Sequence, residues 1–451
     1  MPFRQRTQIK RFIHKSFSRL GQAKGYFDLK KSQWLARPKL KKIQEKKLRN
    51  IIKHAYNNVE YYHALFKSLN LHPTDVKNVD DLCKIPILTR LQIQKDPEKI
   101  IAHDADRKRC ITSRTSGSTG RPLVLTFDDD ALINRGSRSL RHFFESGCHL
   151  NDKIVRFTSP SRSLRSRTHT PWFNQLGFLR RKHLSVLDKI DNNISSLLAY
   201  SPDVIEGYPS TLWLIANTVQ DKQIEGINPR IVCCTAELLP QDVRKKINSA
   251  FEVELFDQYG SVEFGTFAWE CQEHNGYHMD IESVVVEFLR NGENVSPEEK
   301  GEIVVSGLFN LAMPLIRYSL GDIGRFSTER CSCGRGLPLM KIIDGRTDDF
   351  LVLPSGTIIS PRNINLLEYV DGIAAYRIVQ KERDKLEVQV VADSGFSPET
   401  ISRTRDRILR GCLGEDIEIN VEIVDEIPRD ISGKMRSVVS EVKKTSTTQS
   451  G

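Results

Sequence analysis

Apolar residues recur at helical spacing early in the chain. Leu48, Ile51, Ile52, Ala55 and Val59 follow an i, i+3, i+4, i+7, i+11 pattern, which predicts an amphipathic helix with one buried stripe. Upstream, Phe12, Phe17 and Leu20 lie among lysines and arginines as a weaker basic helix. From about residue 105 to 345 the pattern changes. Short β-rich runs, Ile154–Thr158, Val204–Glu206, Ile231–Thr235 and Val284–Phe288, alternate with helical patterns between Gly, Pro and Ser clusters. This predicts an α/β body whose β-sheets are covered by helices. Beyond Asp344, Leu386, Val388 and Val390 alternate with polar residues, and so do Ile417, Ile419, Val421 and Ile423. A helical stretch begins near Pro398 between them. The expectation there is a small α+β C-terminal domain of about a hundred residues. No apolar run reaches the ~18 residues that span a bilayer, and no internal repeat is visible.

Charge sharpens this division. The 451 residues carry 67 Lys plus Arg against 57 Asp plus Glu, a formal net charge of +10. Residues 1–50 hold 16 basic and 2 acidic side chains, leaving 51 basic and 55 acidic elsewhere. The head is therefore +14 and the body −4, which argues against a nucleic-acid-binding surface over the whole protein. The head itself suits a solvated arm, or peripheral contact with an anionic membrane or an acidic partner. Its IKRFIHKSFSRL stretch lacks the apolar core of a signal peptide. Nine irregularly spaced cysteines do not form a disulfide framework, so a cytoplasmic location is expected.

The chemistry is concentrated in short motifs. Thr112–Pro122, TSRTSGSTGRP, offers backbone N–H groups and hydroxyls suited to phosphate oxygens, without the Gly-Lys-Ser/Thr of a Walker loop. Tyr259, Gly260 and Glu263 form YGSVE, a ring followed by a carboxylate able to hold Mg²⁺. Tyr318, Gly321 and Asp322 form YSLGD, whose aspartate is read as a loop acceptor for ribose hydroxyls. Gly345, Arg346, Asp348 and Asp349 form GRTDD, and Pro428, Gly433, Lys434 and Arg436 lie in PRDISGKMR. Taken singly each has a structural explanation; their shared order makes coincidence hard to sustain.

In that order the motifs resemble the adenylate-forming superfamily of acyl-CoA synthetases, luciferases and nonribosomal adenylation domains. More narrowly they resemble the phenylacetate–CoA ligase branch, which includes capsular-polysaccharide enzymes and deazaflavin-coenzyme adenylyltransferases. LRNIIKHAYNNVEYYHALF, DDLCKIPILTR, the Thr235–Glu237 TAE and CSCGRGLP carry the narrower likeness, which covers roughly residues 40–440. The resemblance implies a basic arm over 1–40, an AMP-binding domain over 41–345 and a mobile lid over 346–451. It implies that Thr115, Ser116, Gly117, Ser118, Thr119 and Gly120 cradle the ATP phosphates. Tyr259, with Gly260 behind it, stacks on adenine opposite Ala236 and Glu237, while Glu263 ligates Mg²⁺. Asp322 and Arg346 hold the ribose, Asp348 is the hinge, and Lys434 reaches the carboxylate and α-phosphate. The implied activity is AMP-forming acid–thiol ligation, with CoA as acceptor. Ser319 and Leu320, where Arg and Thr are common, and the FLVLPSGTIISPRNI segment depart from the CoA-ligase pattern. They keep open an adenylyltransferase or polysaccharide-pathway enzyme that does not use CoA, and a non-catalytic nucleotide-binding relative.

One further cluster stands apart. Cys271 and His278 in CQEHNGYH, with Cys331 and Cys333 in CSCG, make a Cys₃His set suited to structural Zn²⁺, with His274 as the competing nitrogen. The adjacent Cys233 and Cys234 read as small core residues. Acid-binding positions are expected in the 208–211, 235–237 and 264–269 regions.

Overall fold

The computed structural model describes residues 19–114, 123–158, 180–186, 188–344, 351–355, 358–359, 367, 370, 372–392, 395–412, 415–427 and 438–442. Backbone contacts divide the chain into two compact units. The first comprises 1–115, 123–148 and 256–345, the second 116–122, 149–255 and 346–451.

In the first unit, helices over 19–32, Arg37–Asn58 and Glu60–Ser68 lead into an antiparallel sheet. Leu48, Ile51, Ile52 and Ala55 form the buried stripe expected from their spacing and pack with Phe66, Val285 and Ile316. Val59 keeps its place in that core, but its extended backbone (φ −120°) ends the helix before it. The sheet runs in the order Glu293–Asn294, Val284–Arg290, Gly301–Gly307, Tyr318–Ser327, Leu339–Asp344, Tyr277–Met279, Gly265–Trp269, Leu255–Ser261. Against it packs the Asp129–Glu145 helix, whose start is fixed by Asp128 accepting the Ala131 N–H at 2.8 Å and by two further first-turn acids.

The second unit contains a parallel sheet ordered Ile231–Thr235, Val204–Gly207, Lys153–Thr158, Arg180–Ser185. Three of its four strands match the expected β-rich runs, Arg180–Ser185 being the one not expected, and Cys233 and Cys234 are both buried as read from sequence. The helices Ile190–Tyr200, Pro209–Asp221 and Gln241–Phe251 cover one face through Ile194, Leu197, Leu212, Ile215 and Ile247.

The same unit holds a smaller sheet, ordered Glu418–Ile423, Lys385–Ala392, Ile373–Glu382, Val438–Ser440, with the helix Pro398–Gly411. That helix begins at the expected proline, behind a Ser397/Thr400 capping box. Leu386, Val388 and Val390 all face its core, whereas the alternation over 417–423 fades. Ile419 is buried and Ile423 is exposed, because this strand lies at the sheet edge. The mixed α/β architecture with a smaller C-terminal sheet is therefore the one expected. No described helix is long and apolar enough to cross a membrane.

Candidate nucleotide-site residues and a Cys₃His centre

Two hydroxyl–carboxylate pairs form within the first unit. Tyr259 lies in the Leu255–Ser261 strand, and its hydroxyl donates to Asp322 Oδ2 at 2.8 Å. Tyr318 donates to Glu263 Oε1 at 3.2 Å. The sequence places Asp322 on a loop; the structure places it inside the Tyr318–Ser327 strand. A bulge accounts for its loop-like chemistry. Between the pairs Ser319↔Val304 and Ile323↔Glu302 this strand advances four residues while its partner advances two. Gly321, at φ +74°, takes up the extra length and re-aims Asp322. Gly260 has a different reason to be glycine. A Cβ there would lie 2.4 Å from the Gly265 carbonyl oxygen and 2.5 Å from Thr266 Cα.

Glu263 sits on the turn joining Leu255–Ser261 to Gly265–Trp269, and no lysine or arginine of the described residues pairs with it. A half-buried carboxylate of this kind fits a role as Mg²⁺ ligand. Arginines that the motifs do not reveal fasten the turn to the Asp129–Glu145 helix. Arg135 donates to the Val262 carbonyl at 3.1 Å, and Arg138 to the Thr266 and Phe264 carbonyls at 2.8 and 2.5 Å. Burial pushes Arg138 down to about 10, so it remains charged at neutral pH.

Further along the same helix, Arg141 is fully buried. It bonds Asp280 at 2.5 Å and Glu282 at 2.9 Å, and Asp280 also accepts from His142 Nε2 and Trp269 Nε1. Burial opposes the charge on Asp280, but Arg141 and the neighbouring donors hold its carboxyl far below the usual range. Glu282 in turn accepts the Ser32 hydroxyl at 2.7 Å, and its carbonyl accepts Lys47 at 2.7 Å. A stretch reading RGSRSLRH resembles a solvated basic helix; only long-range partners reveal that it is internal.

In the second unit, Ala236 follows the Ile231–Thr235 strand with φ +70°, an uncommon conformation for a residue with a Cβ. Glu237 Oε2 accepts the Ser210 N–H at 3.0 Å, tying the TAE turn to the start of the Pro209–Asp221 helix. Of the 264–269 region, Phe267 and Trp269 are fully buried core residues, not pocket-lining ones. Thr115, Ser116, Gly117, Ser118, Thr119, Gly120, Arg346, Asp348 and Lys434 lie outside the described residues.

The Cys₃His residues converge. Ligand atoms of Cys271, His278, Cys331 and Cys333 all lie within 4.8 Å of one another. Cys271 and Cys331 sulfurs are 3.5 Å apart, and Cys333 Sγ is 3.4 Å from His278 Nε2. Tetrahedral Zn²⁺, with bonds of about 2.3 Å to sulfur and about 2.0–2.1 Å to nitrogen, sets its ligands about 3.5–3.8 Å apart, so the set fits. His278 Nδ1–H points at the Leu337 carbonyl, 3.4 Å away, which leaves Nε2 for a metal. Burial pushes His278 down to about 4, keeping the ring in its neutral, ligating form, and pushes Cys271 up to about 12. His274 is engaged elsewhere, 3.3 Å from Glu270 and against the Phe256 ring.

The chain is similar in sequence and fold to known proteins. Residues 351–441 match the family model of the CapK C-terminal domain. Over 422 residues the chain is 25% identical to Protein CapK of Staphylococcus aureus, covering 89% of each chain. It is 23% identical to a phenylacetate–coenzyme A ligase of Thermus thermophilus, covering 90% of this chain and 97% of that one. Its fold is similar to that of 2-hydroxyisobutyryl-CoA ligase solved with 2-HIB-AMP and CoA in the thioesterification state. That likeness has a TM-score of 0.64 at 16% identity, over 91% of this chain and 92% of the other. The resemblance read from the motifs is thus met in both sequence relatives and fold.

Proposed function

We propose that the chain is an ATP-dependent ligase that converts a carboxylic acid to its acyl-adenylate and passes the acyl group to a thiol, with CoA as acceptor. The observation that carries this reading is the pair of contacts Tyr259–Asp322 and Tyr318–Glu263, in which motif residues distant in sequence meet within the fold of an acyl-CoA ligase. Residues 41–345 serve as the AMP-binding domain and 346–451 as the lid.

Tyr259 stacks on adenine, Ala236 and Glu237 bound its other side, and Asp322 with Arg346 holds the ribose. The Thr115–Gly120 loop donates to the phosphates. The acid's carboxylate attacks the α-phosphorus, and pyrophosphate leaves. Lys434 offsets the repulsion between those two anions, a role worth on the order of a few hundred-fold in rate. Glu263 would hold Mg²⁺, which supplies charge neutralisation on the phosphates when bound. The thiol then displaces AMP from the acyl group after the lid turns about Asp348. Zn²⁺ in the Cys₃His set would be structural, since four protein ligands leave no open position.

The test is pyrophosphate release over a panel of acids with and without CoA. Activity that survives Lys434→Ala overturns the mechanism. Ser319 and Leu320 and the FLVLPSGTIISPRNI segment, which depart from the CoA-ligase pattern, favour a second reading, an adenylate-forming enzyme whose acceptor is not CoA. A stable AMP adduct, or turnover indifferent to CoA, would select it. Nucleotide binding without pyrophosphate release from any acid would leave a non-catalytic relative.

The arm has a separate task, contact with an anionic membrane surface. Tyr26 and Leu29 anchor the 19–32 helix on the body, whereas Leu20 and Phe27, seven residues apart, are 69% and 57% exposed, and Trp34, in the turn after the helix, is 52% exposed beside Arg335. Lys24 and Lys31 lie between them, also exposed, within the +14 segment. An apolar and aromatic stripe laced with lysine suits an interfacial helix. Full-length protein should sediment with phosphatidylserine vesicles and not with phosphatidylcholine ones. Equal sedimentation with both, or none with either, overturns this assignment.

A further inference from the structure

The parallel sheet of the second unit has two unlike faces. Side chains alternate along each strand, and parallel neighbours in register share a face. Val155, Phe157, Leu184, Ile205, Val232 and Cys234 make one face, all of them in the core beneath the three covering helices. The pairings Arg156↔His183, Arg156↔Glu206 and Glu206↔Cys233 place a row His183–Arg156–Glu206–Cys233 across the other. One step nearer the strand C-termini, Thr158 pairs with Ser185 on that face. The carboxyl ends of parallel strands are where open α/β sheets take their ligands, and Ala236 and Glu237 follow directly from one of them.

At Arg156 and Glu206 this row is polar and reachable, while Cys233 at its end and Ile154 and Val204 on the same face are buried. Arg156 Nε donates to Glu206 Oε2, yet the Arg156 side chain is 40% exposed and that of Glu206 15%. Thr158 is 5% exposed, and its hydroxyl has no hydrogen-bond partner among the described residues. Burial alone would push Glu206 up, but Arg156, Arg181 and His183 hold it ionised. The row therefore presents cationic donors, an anionic acceptor and hydroxyls side by side. An aryl or alkyl chain laid against it would desolvate the Arg156–Glu206 pair and return no hydrogen bonds. A ligand with several hydroxyls can both donate to Glu206 and accept from Arg156 and His183.

We propose that this face binds the acyl portion of the substrate, and that the acid activated is polyhydroxylated, read by His183, Arg156, Glu206 and Thr158. The assignment rests on the ligase reading above and adds the substrate class to it. A site built to hydrogen-bond hydroxyls discriminates strongly against analogues lacking them.

ATP–pyrophosphate exchange should be measured with D-gluconate, D-glucuronate, hexanoate and phenylacetate. At least one hydroxylated acid should exceed both apolar acids by about 100-fold in kcat/KM. Glu206→Gln and Arg156→Met should each raise the KM for that acid about tenfold, more than they lower kcat, and narrow the gap to hexanoate. Circular dichroism will establish that both variants fold. Faster exchange with phenylacetate or hexanoate overturns the proposal and leaves the ligase reading intact. An unchanged KM in folded Glu206→Gln also overturns it. If no acid supports exchange, the ligase reading fails, and saturation-transfer NMR of gluconate and glucuronate judges this face alone. Signals that vanish in Glu206→Gln retain it as a polyol site, and no signal with wild type discards it.

Discussion

Two arginine–carboxylate pairs in this molecule share one chemistry and differ in setting. Arg141 with Asp280 and Glu282 is sealed, with side-chain exposures of 0%, 0% and 2%. Arg156, 40% exposed, opens to solvent beside the half-buried Glu206 on a parallel sheet whose other residues on that face, such as Ile154 and Val204, are buried. In the sealed cluster the carboxylate is fully engaged: Asp280 takes bonds from Arg141, His142 and Trp269. The open pair keeps donors and acceptors presented outward. Burial thus separates an ionic group that fixes a scaffold from one able to read a ligand.

The comparison can be broken most forcefully at its sealed end. Asp280→Ala removes the shared acceptor of three buried donors and should cost on the order of 3–5 kcal/mol, read by urea unfolding. A loss below about 1 kcal/mol would mean that the cluster is not what holds this unit together. Next in size is the neighbouring Cys₃His set. Purified protein should contain one zinc per chain by plasma emission spectrometry, and Cys331→Ser should lose it and melt several degrees lower. Metal-free wild type with an unchanged melting point would remove the ion from the account.

Acid should act on the sealed cluster before the open pair. Burial holds His142 below its ordinary pKa, and its Nδ1 has no hydrogen-bond partner among the described residues. The stabilising neutral form is therefore fully present above the unfolded value of about 6.5 and is lost as pH falls towards the lower folded value. Urea midpoints should decline below about pH 6.5, and His142→Gln should flatten that decline. The smallest effect is expected at the open pair. Arg156→Met should cost about 1–3 kcal/mol, less than Asp280→Ala, because Arg156 keeps 40% of its side chain exposed although Glu206 keeps only 15%. A larger loss would make Arg156 a scaffold group and would erase the contrast with Arg141.

Much of this was legible from the residues in order. The strand runs at Ile154–Thr158 and Ile231–Thr235, the helix at Pro398 and the buried stripe through Leu48 and Ala55 follow from local periodicity. The motif residues Tyr259 and Asp322 were nameable, although the bulge that places Asp322 within a strand was not. Arg138 and Arg141 were hidden because their partners lie more than a hundred residues away, as with the 139 positions separating Arg141 from Asp280. Spacing left His274 and His278 as rival ligands; strand pairing resolves them, since His278 lies opposite both Trp269 and Leu339 while His274 turns towards Glu270. The polar row of the second unit was invisible for a similar reason. KIVRFT reads as one strand with two basic residues, and only register sets Arg156 beside Glu206 and His183.

Glu282 has a consequence for how the chain is made. It gathers Ser32 from 250 residues upstream, Lys47 from 235 and Arg141 from 141. A ribosome releases those three segments well before Glu282 emerges, at about 5–20 residues per second. For tens of seconds the first two helices have no Glu282 to close on, and Tyr26 and Leu29 have no finished surface to cover them. Assembly of the first unit therefore waits on the translation of its last third, and the N-terminal helices are a natural client for a holding chaperone during that interval.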